Sequence, residues 1–300
     1  MRSFAIFLGL IALGFAGIAL FGYPAWLLVS PLLDNPKFSR IASRVAMLVL
    51  IVGFLLVARR LRVADRQSLG FGLPAPKFIR EVAIAILIGA LLMLPVVAAM
   101  LLTDMRELKP DVALGAAALL KLVAFGLATG LVVGLTEEAF LRGAMQSAIT
   151  RESGVVLAIT LTSLVYAATH FVAGKFRVAP ADVNFGTGLD MLAEVLKRFA
   201  NPAGIIDSFL CLTAVGVLLG VVRALTGNIA ACIGLHAGWV AVIYVVRETT
   251  APNRSSPAAW LMGDYDGFIG WMVLAWTLVI GWVLWWWYGG VRRGKQGKLE

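Results

Sequence analysis

The sequence predicts an all-α, polytopic bundle of about eight transmembrane helices, and three observations carry that prediction. Hydrophobic residues make up 60% of the 300 and charged residues 14%, with a mean hydropathy of +0.90, far outside soluble globular usage. Apolar runs of about 20 residues, the length that crosses a bilayer, recur along the whole chain. The basic residues behind the net charge of +9 sit between and after these runs, as the positive-inside rule expects. They form no stripe with interleaved aromatics, so nucleic acid is not an expected partner; the lipid bilayer is.

The run 4–21 after Arg2 reads as a retained first span, because it is long and no small-x-small cleavage site follows it. Tyr23-Pro24-Ala25-Trp26 reads as its exit at headgroup level, and 31–44 as a short polar connection. The second span, starting at 41 or 45 and ending at 58, runs into Arg59-Arg60-Leu61-Arg62, with Arg66, Lys77 and Arg80 close behind. This densest basic loop is expected in the cytoplasm. Leu73-Pro74-Ala75-Pro76 is a break before the third span, 81–103, which contains Pro95 and is expected to bend there.

The fourth helix, 112–150, shows no breaker and ends at the turn Arg151-Glu152-Ser153-Gly154, from which the fifth span, 155–172, returns. The longest polar interruption is 173–201. Within it Leu189, Leu192, Leu196 and Phe199 recur at helical spacing, which suits a helix lying in the membrane interface. The sixth span is 205–225, Thr226-Gly227-Asn228 is a turn, and the seventh span is 229–246. After a polar loop, 247–266, the eighth span, 268–288, closes in Trp285-Trp286-Trp287-Tyr288 and a basic tail, Arg292, Arg293, Lys295 and Lys298. That pattern reads as an aromatic belt at the bilayer surface. Eight spans put both termini on one side, and the basic loop and tail agree on the cytoplasm, with a cell inner membrane as the expected location. No repeat or linker divides the chain, so 1–300 is read as one membrane domain. Cys211 and Cys232 fall in apolar runs without finger-like spacing and read as small buried hydrophobes.

Ionisable groups at membrane depth are costly enough to be functional by default. One stretch concentrates them: Gly134-Leu135-Thr136-Glu137-Glu138-Ala139-Phe140-Leu141-Arg142-Gly143. In a helix Glu138 and Arg142 stand four apart on one face and can pair, while Glu137 points about 100° away, toward a different neighbour. One carboxylate is thereby held by arginine and the other, Glu137, is left for chemistry. The chain has two histidines, His170 and His236. Counted from the turn near Ser153, Glu137 lies roughly 24 Å back along its helix and His170 roughly 26 Å forward along the next, at matching depth. His236 lies only about 13 Å past the Gly227 turn. Tilt or a displaced helix end has to close the remaining gap. Each group also has a structural reading: a buried ion pair, an interhelical hydrogen bond for His170, or close packing through Gly234 and Gly238 around His236.

At these residues the chain resembles the CPBP family of intramembrane proteases (CAAX protease and bacteriocin-processing, also called ABI or type II CAAX prenyl endopeptidases). The family pattern is EExxxR, then FxxxH, then HxxxN or HxxxD, on successive helices. Glu137-Glu138-Ala139-Phe140-Leu141-Arg142 matches the first in full. Tyr166-Ala167-Ala168-Thr169-His170 matches the second with one aromatic in place of another. His236-Ala237-Gly238-Trp239-Val240 keeps the third histidine, with Val240 where Asn or Asp is usual. The resembling core is 112–246. The resemblance implies an intramembrane endopeptidase acting on a membrane-associated protein or peptide substrate. In its terms Glu137 with His170 would hold and deprotonate a water, His236 would donate to the tetrahedral oxyanion, and Glu138 with Arg142 would brace the helix. A zinc ion on Glu137, His170 and His236 is compatible with it, since two His and one Glu form an open three-ligand set, although the metal-free route needs no cofactor and HExxH is absent. Val240 can neither donate to an oxyanion nor orient His236; Trp239 and Asn228 are the groups that could stand in, and the sequence does not choose between them.

Two other functions use membrane-buried Glu, His and Arg. A transporter or proton-coupled carrier would show internal repeats with paired broken helices, and none is present. A non-catalytic membrane scaffold or immunity factor of the same family is the reading that Val240 favours.

Overall fold

Helices supply nearly all regular structure in the computed structural model, which describes residues 1–110, 112, 115–172 and 176–296, with side chains through Trp287. Among them six helical stretches are long and apolar enough to cross a membrane, and Val155–His170 and Trp271–Trp287 are shorter apolar helices. Together these correspond to the eight expected spans.

In chain order the helices are α1 (Arg2–Val29), α2 (Phe38–Val57), α3 (Ala75–Leu102), α4 (Ala116–Glu138), α5 (Gln146–Ser153), α6 (Val155–His170), α7 (Thr187–Ala200), α8 (Ile206–Thr226), α9 (Ala230–Thr249) and α10 (Trp271–Gln296). α4 and α5 are one rod joined by a π-helical segment, Ala139–Met145. After α3 comes β1 (Arg106–Leu108), paired antiparallel with β2 (Thr250–Pro252) at the end of α9. Buried Arg106 locks that end of the bundle: its guanidinium donates to the Thr250 hydroxyl at 2.7 Å, the Thr250 carbonyl at 3.0 Å and the Gly267 carbonyl at 2.7 Å.

The helix at the centre is α9, clasped by α4 on one side and α3 on the other. In lipid there is little hydrophobic gain in pressing two apolar helices together, so close backbone approach through small residues has to supply the packing. Gly126, Gly130 and Gly134 line the face of α4 against α9; a Cβ on Gly130 would lie 2.4 Å from the Ala237 carbonyl oxygen. On the other side of α9, a Cβ on Gly234 or Gly238 would lie 2.4 Å from the carbonyl oxygens of Val82 or Ile86 on α3. The structural reading of those two glycines therefore holds, but for α3. His236, between them in sequence, turns toward α4 instead.

Several element ends differ from expectation, and α2 starts at Phe38, inside the stretch 31–44 read as a polar connection. α1 continues through Pro24 to Val29, and Trp26 is buried against Phe38 with ring centroids 6.2 Å apart, so Tyr23–Trp26 is not an interfacial exit. α3 starts at Ala75, several residues early, with Pro76 in its first turn, where a missing N–H costs nothing. α7 forms a helix over the expected stretch: Leu189 and Leu196 are exposed while Met191 and Val195 pack inward, and a Cβ on Gly188 would meet the Ile18 carbonyl of α1 at 2.6 Å. Trp285, Trp286 and Trp287 are exposed, as an aromatic belt requires. The side chains of Tyr288, Arg292, Arg293 and Lys295, and all of Lys298, lie outside the described residues. Cys211 and Cys232 are buried free thiols.

Candidate active site

Glu138 and Arg142 form the expected pair, Nη1 to Oε1 at 3.2 Å, with neither side chain exposed. Arg142 also donates through Nη2 to the Gly216 carbonyl of α8 at 3.1 Å, and one turn further Gln146 donates to the Gly220 carbonyl at 2.9 Å. These two rungs fasten the π segment and the start of α5 to α8. Arg142 further lies 4.8 Å over the ring of Tyr166, so the buried cation meets a carboxylate, a carbonyl and a π face. The close approach depends on Gly143, where a Cβ would lie 2.7 Å from the Leu69 carbonyl.

His236 joins both carboxylates. Its Nδ1–H donates to Glu138 Oε1 at 2.9 Å, and its Nε2 lies 3.9 Å from Glu137 Oε2. The division of labour expected within the pair is present in the burial: Glu138 is fully enclosed, whereas the Glu137 side chain is 35% exposed and has an Oε2 without a hydrogen-bond partner. The neighbour was expected to differ between the two carboxylates, and it does not; both face one imidazole.

The depth mismatch predicted for His236 is also absent, for a geometric reason. The basic connection 58–74 touches Gly143 through Leu69 and accepts the Ile229 N–H through Gly70, so α9 begins level with Gly143. About ten residues of the α4–α5 rod, roughly 15 Å, therefore project beyond the start of α9. Counting depth from the Ser153 turn placed the two helices on different baselines.

His170 stands at the last residue of α6. Its Nδ1–H donates to the Tyr166 carbonyl at 2.8 Å, and its ring meets that of Tyr166 edge-on at 4.4 Å. Two distant groups hold this helix end: the Tyr265 hydroxyl donates to the His170 carbonyl at 3.0 Å, and Arg198 of α7 donates to the Phe171 carbonyl at 2.9 Å. Burial raises the Tyr265 phenol above its ordinary pKa, which keeps it a donor. Neither anchor carries a signal in the sequence, because both come from loops or helices far along the chain.

Glu137 and His170 share the wall of a cavity of about 780 Å³ framed by α1, α2, α4 and α6, with Phe54, Thr136 and Phe140 among its lining and Arg44 at its edge. A second cavity, about 110 Å³, lies beside both imidazoles and is lined by Tyr166, His170, His236, Trp239 and Val240. Asn228 does not reach the site; it caps α9, accepting the Ala230 N–H at 2.8 Å and donating to Glu81 at 3.2 Å. Trp239 does line the small cavity.

The tautomers suit a metal, since each Nδ1–H is tied to a carboxylate or carbonyl and each Nε2 is left for other use. The donors themselves do not converge: among the described residues no three His, Cys, Asp or Glu side chains are close enough to hold an ion. The three-ligand zinc set therefore does not fit as placed.

A membrane helix bundle with a carboxylate–imidazole cluster on the wall of an apolar cavity defines a class of protein equipped for acid–base chemistry at membrane depth. Residues 119–242, covering most of α4 through most of α9, match the family model described as Rce1-like, type II CAAX prenyl endopeptidase, which is similar to the family that the motifs resemble. No curated protein and no solved structure matches the chain.

Proposed function

We propose that the protein is an intramembrane endopeptidase in which Glu137 activates a water for attack on a peptide bond of a membrane-associated protein. The observation that carries this reading is the 3.9 Å gap between the enclosed Glu137 Oε2, which has no hydrogen-bond partner, and His236 Nε2, with Glu137 lining the large cavity and His236 the small one. A contact of that length invites a bridging water. One water making two hydrogen bonds of about 2.8 Å fits it. Both groups accept, so such a water would donate both protons to them and present its lone pairs to the cavity. Glu137 then takes a proton as the oxygen bonds the scissile carbonyl carbon, and returns it to the amine nitrogen as the C–N bond breaks. Glu138 and Arg142 support this by holding His236 in the Nδ1–H tautomer. His170, on the wall of both cavities, would flank the peptide where it crosses between them. The substrate would enter the large cavity between α1, α2, α4 and α6.

We place both termini on the cytoplasmic side of an inner membrane, supported by the basic connection 58–74, whose Leu61 and Ser68 are bound by Arg151 of α5. The test is cleavage of a membrane-anchored reporter by the purified protein in proteoliposomes. Glu137→Gln should slow it by about a hundredfold or more, and a chelator should leave the wild-type rate unchanged. Wild-type rates in Glu137→Gln would sink the reading, and chelator sensitivity would restore the zinc alternative.

A further inference from the structure

Tetrahedral intermediates need a donor already aimed at the developing oxyanion, and the imidazole N–H groups of this site are spoken for. His236 spends Nδ1–H on Glu138 and His170 spends its own on the Tyr166 carbonyl. Each ring then offers the cavity only its Nε2, and that of His236 faces Glu137 Oε2 at 3.9 Å. Val240, one turn from His236 and on the wall of the small cavity, is apolar. Arg142 is buried away from both cavities and committed to Glu138 and Gly216.

One donor remains. Tyr166 is 3% exposed, lines the small cavity together with both histidines and Val240, and its hydroxyl has no hydrogen-bond partner among the described residues. The hydroxyl is not among the enclosed unpaired atoms, which leaves it open to the cavity that Tyr166 lines, where it can donate to a ligand oxygen. The ring is held from three sides: by the Arg142 guanidinium at 4.8 Å, by His170 at 4.4 Å and by His236 at 6.1 Å, the last two edge-on. A donor so fixed needs no reorganisation when charge develops.

We infer that the Tyr166 hydroxyl is the oxyanion donor of this site, taking up the carbonyl oxygen of a peptide that reaches from the large cavity across the imidazoles into the small one. The inference rests on the proteolytic reading above. As the water oxygen bonds the carbonyl carbon, the C=O π pair moves onto oxygen and Tyr166 donates a hydrogen bond to it without giving up its proton. When the tetrahedral species collapses, the pair returns and the C–N bond breaks, with the Glu137 proton going to nitrogen.

Tyr166→Phe keeps the ring over Arg142 and removes only the donor. In the reporter assay it should lower kcat by about a hundredfold with KM little changed. It should also weaken binding of a peptide aldehyde, whose hydrate mimics the tetrahedral species, while its melting temperature stays at the wild-type value. Adding Val240→Asn to Tyr166→Phe places an amide donor on the wall of the same cavity and should recover at least about tenfold of the lost rate. If Glu137→Gln abolishes cleavage while Tyr166→Phe retains wild-type kcat and aldehyde affinity, the hydroxyl assignment is overturned and the protease reading stands. If Glu137→Gln cleaves like wild type, both fall. A drop in melting temperature with no recovery on adding Val240→Asn would make Tyr166 a packing residue and overturn the assignment as well.

Discussion

The two walls of the large cavity are built on different principles. On one side α4 borders the cavity and is backed by α9, which it meets backbone to backbone through Gly126, Gly130 and Gly134. On the other, α2 packs chiefly on α1. There a Cβ on Gly14 would meet nothing closer than the Leu50 side chain at 3.4 Å. The chemistry sits on the first wall: Glu137, Glu138, Arg142 and His236 all belong to the α4–α5 rod and α9. The second wall contributes apolar side chains and the edge residue Arg44. The contrast teaches that precision and access are assigned to separate helices, with the tightly knit side holding a reacting group in place and the loosely held side framing a way in from lipid.

Breaking the ion pair is the harshest test of the rigid wall. Arg142→Met leaves Glu138 as an uncompensated buried charge and should cost about 3–5 kcal/mol, read as a lowered midpoint for unfolding in detergent; adding Glu138→Gln should recover part of it. An unchanged midpoint would mean that the pair is not enclosed as described.

A direct comparison of the walls comes next. Gly130→Ala drives a methyl against a backbone carbonyl and should cost about 1–3 kcal/mol, whereas Gly14→Ala meets a movable side chain and should stay within about 0.5 kcal/mol. Equal midpoints for the two variants would erase the distinction between the walls.

The smallest expected effect concerns the end of α6. Tyr265→Phe removes one hydrogen bond to the His170 carbonyl, worth about 1 kcal/mol. It should speed amide hydrogen exchange at the C-terminal turn of α6 and lower the cleavage rate severalfold without altering the global midpoint. Unchanged exchange there would show that Arg198 alone suffices to hold that helix end.

Much of this was readable from one-dimensional patterns. Apolar run lengths gave the spans, and a spacing of four placed Glu138 beside Arg142. What escaped notice depended on pairing between distant elements. The position of His236 was misjudged because depth was counted from two turns that lie at different levels, a difference visible only once the 58–74 connection is seen touching both helices. Gly126, Gly130 and Gly134 recur every four residues and are a small-xxx-small signal for close helix contact; it marks the packed face of α4 but does not name α9 as the partner. The π segment has no marker of its own, since 139–145 holds, Gly143 apart, residues that an ordinary α-helix accepts. Nor does the short β1–β2 pair, three residues on each strand, stand out from a polar loop.

The π segment has one more implication, for changes of length. A wide turn of this kind accommodates one residue more than an ordinary α turn does, so excising a single amino acid within 139–145 would let the rod settle into uniform α-helix. Everything past the excision would keep its direction about the axis, because the wide turn already absorbs the extra residue within one revolution. Gln146 would still face Gly220, and Arg151 would still face Leu61. What would change is the stretch inside the turn, where Arg142 is aimed at Glu138 and Gly216.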